Sequence, residues 1–379
     1  MMKVLLYTIE MVKGVERLMP WRTLVEVARY APKEYEIAIC SAQKPEGIRE
    51  YEGVRIYTID YGISTLRQFV EDGGWNILYY PITYRQGLKD MSEFSAIPSK
   101  KIAYIPGGLC PLSGSMKLIQ MGEIKRALPY LLDTITPHNL IAKKLQKVGF
   151  ESIICQAPLT SVDAFQSGWR KVITALPGNT SNSDFEIFNK SHHEKLRLKG
   201  QKFILFSGAP APTRGAVLAM KAFDRIANQI PDTKMVMLMR RDVNSDFTGF
   251  DKAVSKIRHK NQFIINYDKI TTDQLFYFFK NAWVVMLPFL IVPSEIPLTF
   301  FEVMQFGTPV LTFENGGTTD YLGKGLKIAR HRTVSSYARA ILEICRNSAE
   351  RDNLSANAKK IMSKHPTWKE TSMKWLSVL

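Results

Sequence analysis

The sequence of 379 residues has no apolar run long enough to cross a membrane. Its most apolar stretch reaches only from Trp283 to Val292 and contains Pro288, whereas a membrane-spanning helix needs about 20 residues. Near the N-terminus only Val4 to Ile9 is largely apolar, and a secretory signal peptide needs a longer hydrophobic region. We therefore expect a cytoplasmic protein.

Cysteine is also scarce, and the four cysteines, Cys40, Cys110, Cys155 and Cys345, stand far apart. No Cys-x-x-Cys pair is present, so the sequence offers neither a redox motif nor the usual zinc-binding spacing. Scattered thiols of this kind are typical of buried cysteines in a reducing compartment. We expect no metal site.

Acidic residues are outnumbered, with 35 Asp and Glu against 51 Lys and Arg and a net charge of +16. Most of the excess lies in the second half, because residues 1–185 hold 22 basic against 18 acidic residues. A basic surface attracts nucleic acid, anionic lipid or a polyphosphate ligand, or it is simply solvated. Basic clusters interleaved with aromatic residues are missing, so we expect no nucleic-acid partner.

Strand and helix patterns alternate along the chain, which favours parallel α/β sheets. Lys3 to Ile9 is typical of a buried strand, and the spacing of apolar residues predicts a helix over Val15 to Tyr30. A polar stretch from Pro177 to Asp184 interrupts the pattern, which restarts with a strand at Lys202 to Phe206. We predict an α/β protein of two Rossmann-like domains, residues 1–183 and 184–365, that face a cleft, followed by a closing segment, 366–379.

The segment from residue 293 to residue 310 predicts a loop, a helix, a glycine stop and a strand. Pro297 suits a helix start, and the first free N–H groups, near Leu298 and Thr299, would form an anion site. Glu302 follows one turn later and could accept hydrogen bonds from ribose hydroxyls, or it could merely be solvated. The segment is thus consistent with a nucleotide diphosphate site.

This segment resembles the donor-binding motif of retaining GT-B glycosyltransferases of family 4, Glu-x7-Glu followed by Ala-Met-Ala-x-Gly-x-Pro-Val. The positions that match it in order and spacing are Glu302, Met304, Gly307, Pro309 and Val310. Further segments resemble the family in the same order: Lys13 to Arg17, Arg214-Gly215, Ile270 to Leu275, Glu314 to Asp320 and Pro366 to Leu379. The resemblance covers nearly the whole chain.

The resemblance implies a GT-B fold whose C-terminal helix crosses back to the first domain. It also implies a hexosyltransferase that uses a UDP- or GDP-sugar, retains the anomeric configuration and needs neither metal nor another cofactor. The implied catalytic residues are Arg214 at the diphosphate, Glu302 at the ribose, and Glu295. The implied donor-binding residues are Gly14, Gly208, Arg214, Lys269, Ile270, Ser294, Leu298, Thr299 and Glu302, with Lys269 and Ile270 presenting backbone to the base.

Three positions depart from the family pattern. Ser294 stands where the family has its first glutamate, and Glu295 comes one position late. Ala209 replaces one of two cations, which leaves Arg214 as the cation that is clearly retained. Ile105 to Gly108 occupies the place of a first-domain histidine. These departures bear on mechanism more than on fold.

The acceptor side is expected in the first domain. The Gly107 to Gln120 stretch is rich in Gly, Pro and Ser and is predicted to be a mobile loop. Its apolar residues, flanked by Lys117, Lys125 and Arg126, either pack into the domain or touch an anionic membrane that carries a polyprenyl-linked or other glycan acceptor. That second interpretation predicts a peripheral enzyme on the inner face of the membrane that acts in polysaccharide biosynthesis.

His138 is a candidate on the acceptor side, although it could simply begin a helix after Pro137. Two alternatives to glycosyl transfer remain open from the sequence. A nucleotide-sugar epimerase would share the fold, and a degenerate GT-B protein could serve as a nucleotide-binding or partner-binding subunit. The departures at Ala209 and Ser294 favour the second of these alternatives.

Overall fold

The computed structural model of the chain describes residues 1–16, 18–44, 46–109, 111–179, 198, 200–240, 247–292 and 294–379. Within these residues the strands form two separate sheets, one in each half of the chain. The predicted boundary between residues 183 and 184 lies outside the described residues and stays a prediction.

The first sheet has eight strands in the spatial order β3-β4-β2-β1-β5-β6-β7-β8. Its strands are β1 (Met2–Ile9), β2 (Tyr35–Ala42), β3 (Ile48–Tyr51), β4 (Val54–Ile59), β5 (Ile77–Pro81), β6 (Lys100–Tyr104), β7 (Phe150–Cys155) and β8 (Val172–Thr174). Its helices are α1 (Trp21–Arg29), α2 (Ile63–Gly73), α3 (Leu112–Gln120), α4 (Ile124–Ile135), α5 (His138–Lys147) and α6 (Pro158–Gln166). All pairings are parallel except that of β3 with β4, which is antiparallel. β3 is an edge strand that the sequence patterns did not indicate.

The second sheet is parallel, with six strands in the order β11-β10-β9-β12-β13-β14. Its strands are β9 (Lys202–Gly208), β10 (Thr233–Met239), β11 (Phe263–Asn266), β12 (Val284–Leu287), β13 (Val310–Phe313) and β14 (Leu326–Ala329). The helices are α7 (Ala216–Ile226), α8 (Thr248–Val254), α9 (Thr272–Asn281), α10 (Leu298–Met304), α11 (Gly316–Leu322), α12 (Val334–Arg346), α13 (Ser348–Met362) and α14 (Trp368–Leu376). In both sheets the order reverses beside the first strand, so each has a switch point at β1 or β9.

Each sheet is covered on both faces, which explains the continuous apolar runs of its central strands. Leu5 and Tyr7 of β1 pack into one apolar cluster, whereas Val4 and Leu6 pack into a cluster on the opposite face. The second sheet repeats the arrangement, because alternate residues of β9 also belong to two different clusters. Burial of this kind is the main stabilising term of such a sheet.

The two halves are in close contact along the cleft. A Cβ atom added to Gly108 would lie 2.9 Å from the Cα atom of Glu295, and one on Gly114 would lie 2.1 Å from the carbonyl oxygen of Leu290. Leu118 of α3 belongs to the apolar core of the second half. The helices after β6 therefore belong to the first half in sequence and partly to the second half in packing.

The last helix, α14, returns to the first half. Thr367 and Glu370 form a capping box at its start. Trp375 stacks on Tyr79 with ring centroids 5.7 Å apart, and the Tyr79 hydroxyl donates a hydrogen bond of 2.9 Å to the Trp375 carbonyl oxygen. These contacts confirm the predicted crossing of the C-terminal helix.

Two local predictions from the sequence were wrong. The first helix starts at Trp21 rather than Val15, because the residues from Met11 to Glu16 form a loop after β1. The region predicted as a mobile loop contains the helix α3, whose Gly114 and Ser115 are buried. Small residues in α3 therefore permit a close helix contact with the second half.

Candidate functional site

The centre of the candidate site is the switch point of the second sheet. Gly208 ends β9 with φ of +150°, a value that favours glycine. The Arg214 side chain passes over it, because a Cβ atom on Gly208 would lie 3.6 Å from Arg214 Cδ. The Arg214 guanidinium also lies over the ring of Phe289, 5.4 Å from its centroid. Arg214 is thus held at the carboxyl end of β9, where ligands of such sheets bind.

The helix α10 begins beside this point, on the chain that leaves β12. Pro297 precedes Leu298 with an extended backbone, and no side chain caps the helix start. The N–H groups of Leu298 and Thr299 lie in the first turn, where no preceding carbonyl of the helix can accept their hydrogen bonds. Such groups favour a nearby negative charge. The predicted helix start is therefore the observed one.

Glu302 lies one turn further along α10 and is partly buried. Burial raises its pKa to about 7, although Arg22 and Arg240 lower it in part. Arg22 belongs to α1 of the first half and is paired with Glu26 and Glu52. Two cations from different halves of the chain therefore face the Glu302 carboxyl group.

The residue that sequence reasoning missed is Arg240. It directly follows β10, the neighbour of β9, and its backbone N–H donates a hydrogen bond of 2.9 Å to the Gly208 carbonyl oxygen. A signal was available, since a charged residue at the carboxyl end of a predicted parallel strand lies at the ligand edge. Three adjacent strands, β10, β9 and β12, thus deliver Arg240, Arg214 and the chain to Glu302.

Ser294 and Glu295 are both buried, at 6% and 2% exposure. The Glu295 side chain reaches into the first half, where Cys155, Gln156 and Thr160 surround it. Burial raises the pKa of Glu295 well above its usual range, although hydrogen bonds from Thr160 and from the Gln156 backbone lower it in part. The role of Ser294 and Glu295 at the transferred sugar or the phosphates, which the resemblance implies, stays a prediction.

Gly14 lies across the cleft in the loop after β1. Its φ is +99°, in the region that favours glycine, and its N–H donates a hydrogen bond of 2.6 Å to Glu16. Glu16 is paired with Arg49, which also donates to the Met11 carbonyl oxygen. The loop is therefore fixed at its base and open beside Gly14, where an added Cβ atom would meet nothing within 4 Å.

Lys269 and Ile270 lie in the turn between β11 and α9. Lys269 is exposed, whereas Ile270 packs against the same apolar cluster as Leu298. The turn ends in a capping box formed by Thr271 and Gln274. It therefore stands at the edge of the sheet, beyond β10 and Arg240.

A cavity of about 750 Å³ opens in the cleft on the first-half side. It is lined by Pro20, Thr83, Tyr84, Arg85, Ile105, Pro106, Gly107, Gly108, Leu109, Arg126, Pro129, Tyr130, Asp133, Thr134, His138 and Thr213. The lining combines rings and apolar groups with a few polar side chains, which is typical of small-molecule sites. Thr213 of the second half precedes Arg214, so the cavity reaches the switch point.

His138 is at the start of α5 and lines this cavity. Its Nδ1 lies 2.9 Å from Asp163 Oδ2, its Nε2 lies 3.0 Å from the Asp133 carbonyl oxygen, and its ring stacks on Tyr84. Burial lowers the pKa of His138, but the contacts with Asp163 and Asp133 outweigh it and raise the pKa overall. Both ring nitrogens thus face acceptors, which favours a charged, structural histidine.

The described residues contain no group of three His, Cys, Asp or Glu side chains that could hold a metal ion. No helix among them has the length and apolar character of a membrane span.

Comparisons with known proteins indicate which family the chain resembles. Residues 188–361 match the family described as glycosyl transferases group 1. This part of the chain is therefore similar to the domain that defines that family. The chain is 24% identical over 182 residues to YtcC of Bacillus subtilis (strain 168), a protein provisionally named a glycosyltransferase. That match covers 45% of this chain and 43% of YtcC, so the chain spans about half the length of this relative.

Solved structures extend the likeness to both halves. Sucrose-phosphate synthase from Thermosynechococcus elongatus has a TM-score of 0.72 at 13% identity and covers 100% of this chain and 98% of its own. The HepE protein of Anabaena in complex with UDP-glucose has a TM-score of 0.69 at 12% identity, with 100% of both chains covered. The described residues of both halves thus share the GT-B fold of these proteins, as the sequence predicted.

Proposed function

We propose that this protein is a retaining glycosyltransferase that moves a hexosyl group from a UDP-sugar to a glycan or lipid-linked acceptor. The observation that carries this proposal is the convergence of Arg214, Arg240 and Glu302 at the carboxyl ends of β9, β10 and β12. The convergence lies at a switch point and faces a cavity in the other half. Two cations, a free helix start and a carboxyl group match the parts of a nucleoside diphosphate.

The chemistry follows from where charge develops. As the bond between the sugar and the diphosphate breaks, negative charge grows on the leaving diphosphate. Arg214 and the N–H groups of Leu298 and Thr299 would stabilise that charge in the transition state, without a divalent cation. Glu302 would accept hydrogen bonds from the ribose, and the turn at Lys269 and Ile270 would meet the base.

The choice of a UDP-sugar rests on similarity. HepE, which has the same fold, binds UDP and UDP-glucose in its solved structures. The acceptor would enter the cavity lined by Tyr84, Arg126 and Tyr130. In a retaining reaction the leaving phosphate itself can take the acceptor's proton, so no separate base is assigned here.

Calorimetry with UDP, GDP and ADP in the presence of EDTA tests the donor site first. We expect UDP to bind, and we expect slow release of UDP from a UDP-sugar in water. NMR of the released sugar, observed before mutarotation, should show the same anomer as the donor.

The outcomes separate the rival functions. Failure of every nucleotide to bind would overturn the proposal. Binding without hydrolysis or transfer to any glycan would favour a degenerate subunit, and conversion of the nucleotide-sugar into its epimer would favour an epimerase. The isosteric variant Glu302→Gln is the control: weaker UDP binding by this variant would show that UDP binds at the proposed site.

A further inference from the structure

Helix α4 has an exposed apolar stripe on one side. Ile124, Leu128 and Ile135 are exposed by 57%, 48% and 63%, and Leu131 between them is half-buried. Their spacing of four, three and four residues places them on one helical face. A soluble surface helix normally turns such a face to the core.

The apolar surface continues onto the helices on either side. Leu112 and Met116 are exposed on α3, Met121 is exposed in the turn before α4, and Leu140 is exposed on α5. We call these residues together with the α4 stripe the α3–α5 surface. So many large apolar side chains on three successive helices exceed the scattered exposure that is usual on soluble proteins.

The helices that carry the α3–α5 surface are already packed into the protein core on their other faces. Leu118 of α3 and Ala127 of α4 are fully buried in the core of the second half, and Gly114 lies against Leu290. The exposed apolar residues therefore make no contribution to this core and are available to contact another partner.

The charge of this region points to the partner. Residues 112–147 hold six Lys and Arg, at 117, 125, 126, 143, 144 and 147, against two acidic residues, Glu123 and Asp133. Lys125, Lys143 and Lys147 are exposed. Apolar side chains mixed with lysines are the pattern of helices that lie in the interface of an anionic bilayer.

The α3–α5 surface lies next to the cavity of the cleft. Arg126, Pro129 and Asp133, on a different side of α4 from the apolar stripe, line the cavity of the cleft. A single helix thus borders the cavity with one side and presents apolar residues with another. An acceptor anchored in a bilayer would reach the cavity over a short path.

We propose that the α3–α5 surface docks on an anionic lipid bilayer and holds the cavity next to acceptors in that bilayer. The role of the cavity rests on the proposed glycosyltransferase function, whereas the docking itself does not. The apolar side chains enter the headgroup region, and the lysines contact the anionic headgroups.

Co-sedimentation with vesicles of phosphatidylcholine containing roughly 30% phosphatidylglycerol tests the docking. The test variant is Ile124→Ser with Ile135→Ser. The matched control is Ile48→Ser with Ile328→Ser, two exposed isoleucines on edge strands at other places in the fold. We expect the test variant to bind about tenfold or more weakly than the wild type, and the control to bind like the wild type.

Salt and nucleotide binding complete the test. Wild-type binding should weaken as salt rises from about 0.05 M, because the lysine contribution is screened. UDP calorimetry on the same preparations shows that the variants are folded, and it separates failure of the donor site from failure of the docking. Absence of vesicle binding at low salt, or equal binding by the test variant, would overturn the proposal. Self-association of the wild type that the test variant abolishes, without vesicle binding, would overturn it in favour of a second copy.

Discussion

The two sides of the cleft are built by different means. On the second-half side, the groups expected at the donor come from strand ends, and the register of β10, β9 and β12 fixes their spacing. On the first-half side, the cavity is lined mainly by α4 and by the turns after β5 and β6. A sheet edge gives a constant geometry, whereas helices and loops change more easily. We therefore expect the donor to bind at the strand ends and acceptor choice to depend on the helices and loops.

The largest effect should come from the strand-end side. Replacing Arg214 with alanine should lower kcat/KM for donor hydrolysis by about 10²-fold or more, because it removes a donor to the leaving diphosphate. Steady-state kinetics with a UDP-sugar measure it. Arg339→Ala, which removes an exposed arginine from α12, is the control and should keep wild-type rates. Equal activity of both variants would remove Arg214 from the site.

Glu302→Gln should weaken UDP binding by about tenfold, since a hydrogen bond from ribose to a carboxylate is stronger than one to an amide. The pKa of about 7 adds a signature. The carboxylate form is lost as pH falls through 7, so wild-type affinity should fall there, over and above the change seen in the glutamine variant. Parallel slopes in calorimetry from pH 6 to 8 would contradict the role at the ribose.

Glu295→Gln sharpens the comparison, because it tests a glutamate seven residues earlier that faces the first half. Its raised pKa means that the folded protein holds a proton that the unfolded chain has released above its ordinary pKa near 4.5. The glutamine variant should therefore gain stability over the wild type as pH rises above 4.5, in urea unfolding, with little loss of donor hydrolysis. A loss of activity as large as that of the Arg214 variant would restore the direct role that the sequence suggested.

The smallest effect on the donor should come from His138→Gln on the first-half side. Its raised pKa means that the charged form stabilises the fold fully below the unfolded pKa near 6.5, and that this contribution is lost as pH rises through the folded value. The variant should be less stable than the wild type at pH 6 and closer to it at pH 9. Its donor hydrolysis should stay unchanged while transfer to an acceptor falls, which separate assays of the two reactions can resolve.

The same contrast explains how much could be predicted from the sequence. The start of α10 and the placing of Arg214 depend on local signals, a proline before a helix and a turn after a strand, and both were predicted. The direction of Glu295 depends on how the first half packs against the loop after β12, which no local pattern contains. Helix α3 was missed because Gly114, which is typical of loops, lies instead in a helix that packs against Leu290, far along the chain. Arg240 was overlooked because it matched no motif.

The crossing of α14 has a consequence for biosynthesis. The Tyr79 hydroxyl donates a hydrogen bond to the Trp375 carbonyl oxygen, 296 positions later in the chain. The Ser372 hydroxyl donates one to the Val27 carbonyl oxygen, 345 positions earlier. Trp375 belongs to the same apolar cluster as Val4 and Leu6 of the first strand. The first half emerges early but lacks a fully buried side chain of its core until α14 has been made. We therefore expect the first half to stay incompletely packed for most of translation and to close its core only after the second half has been made.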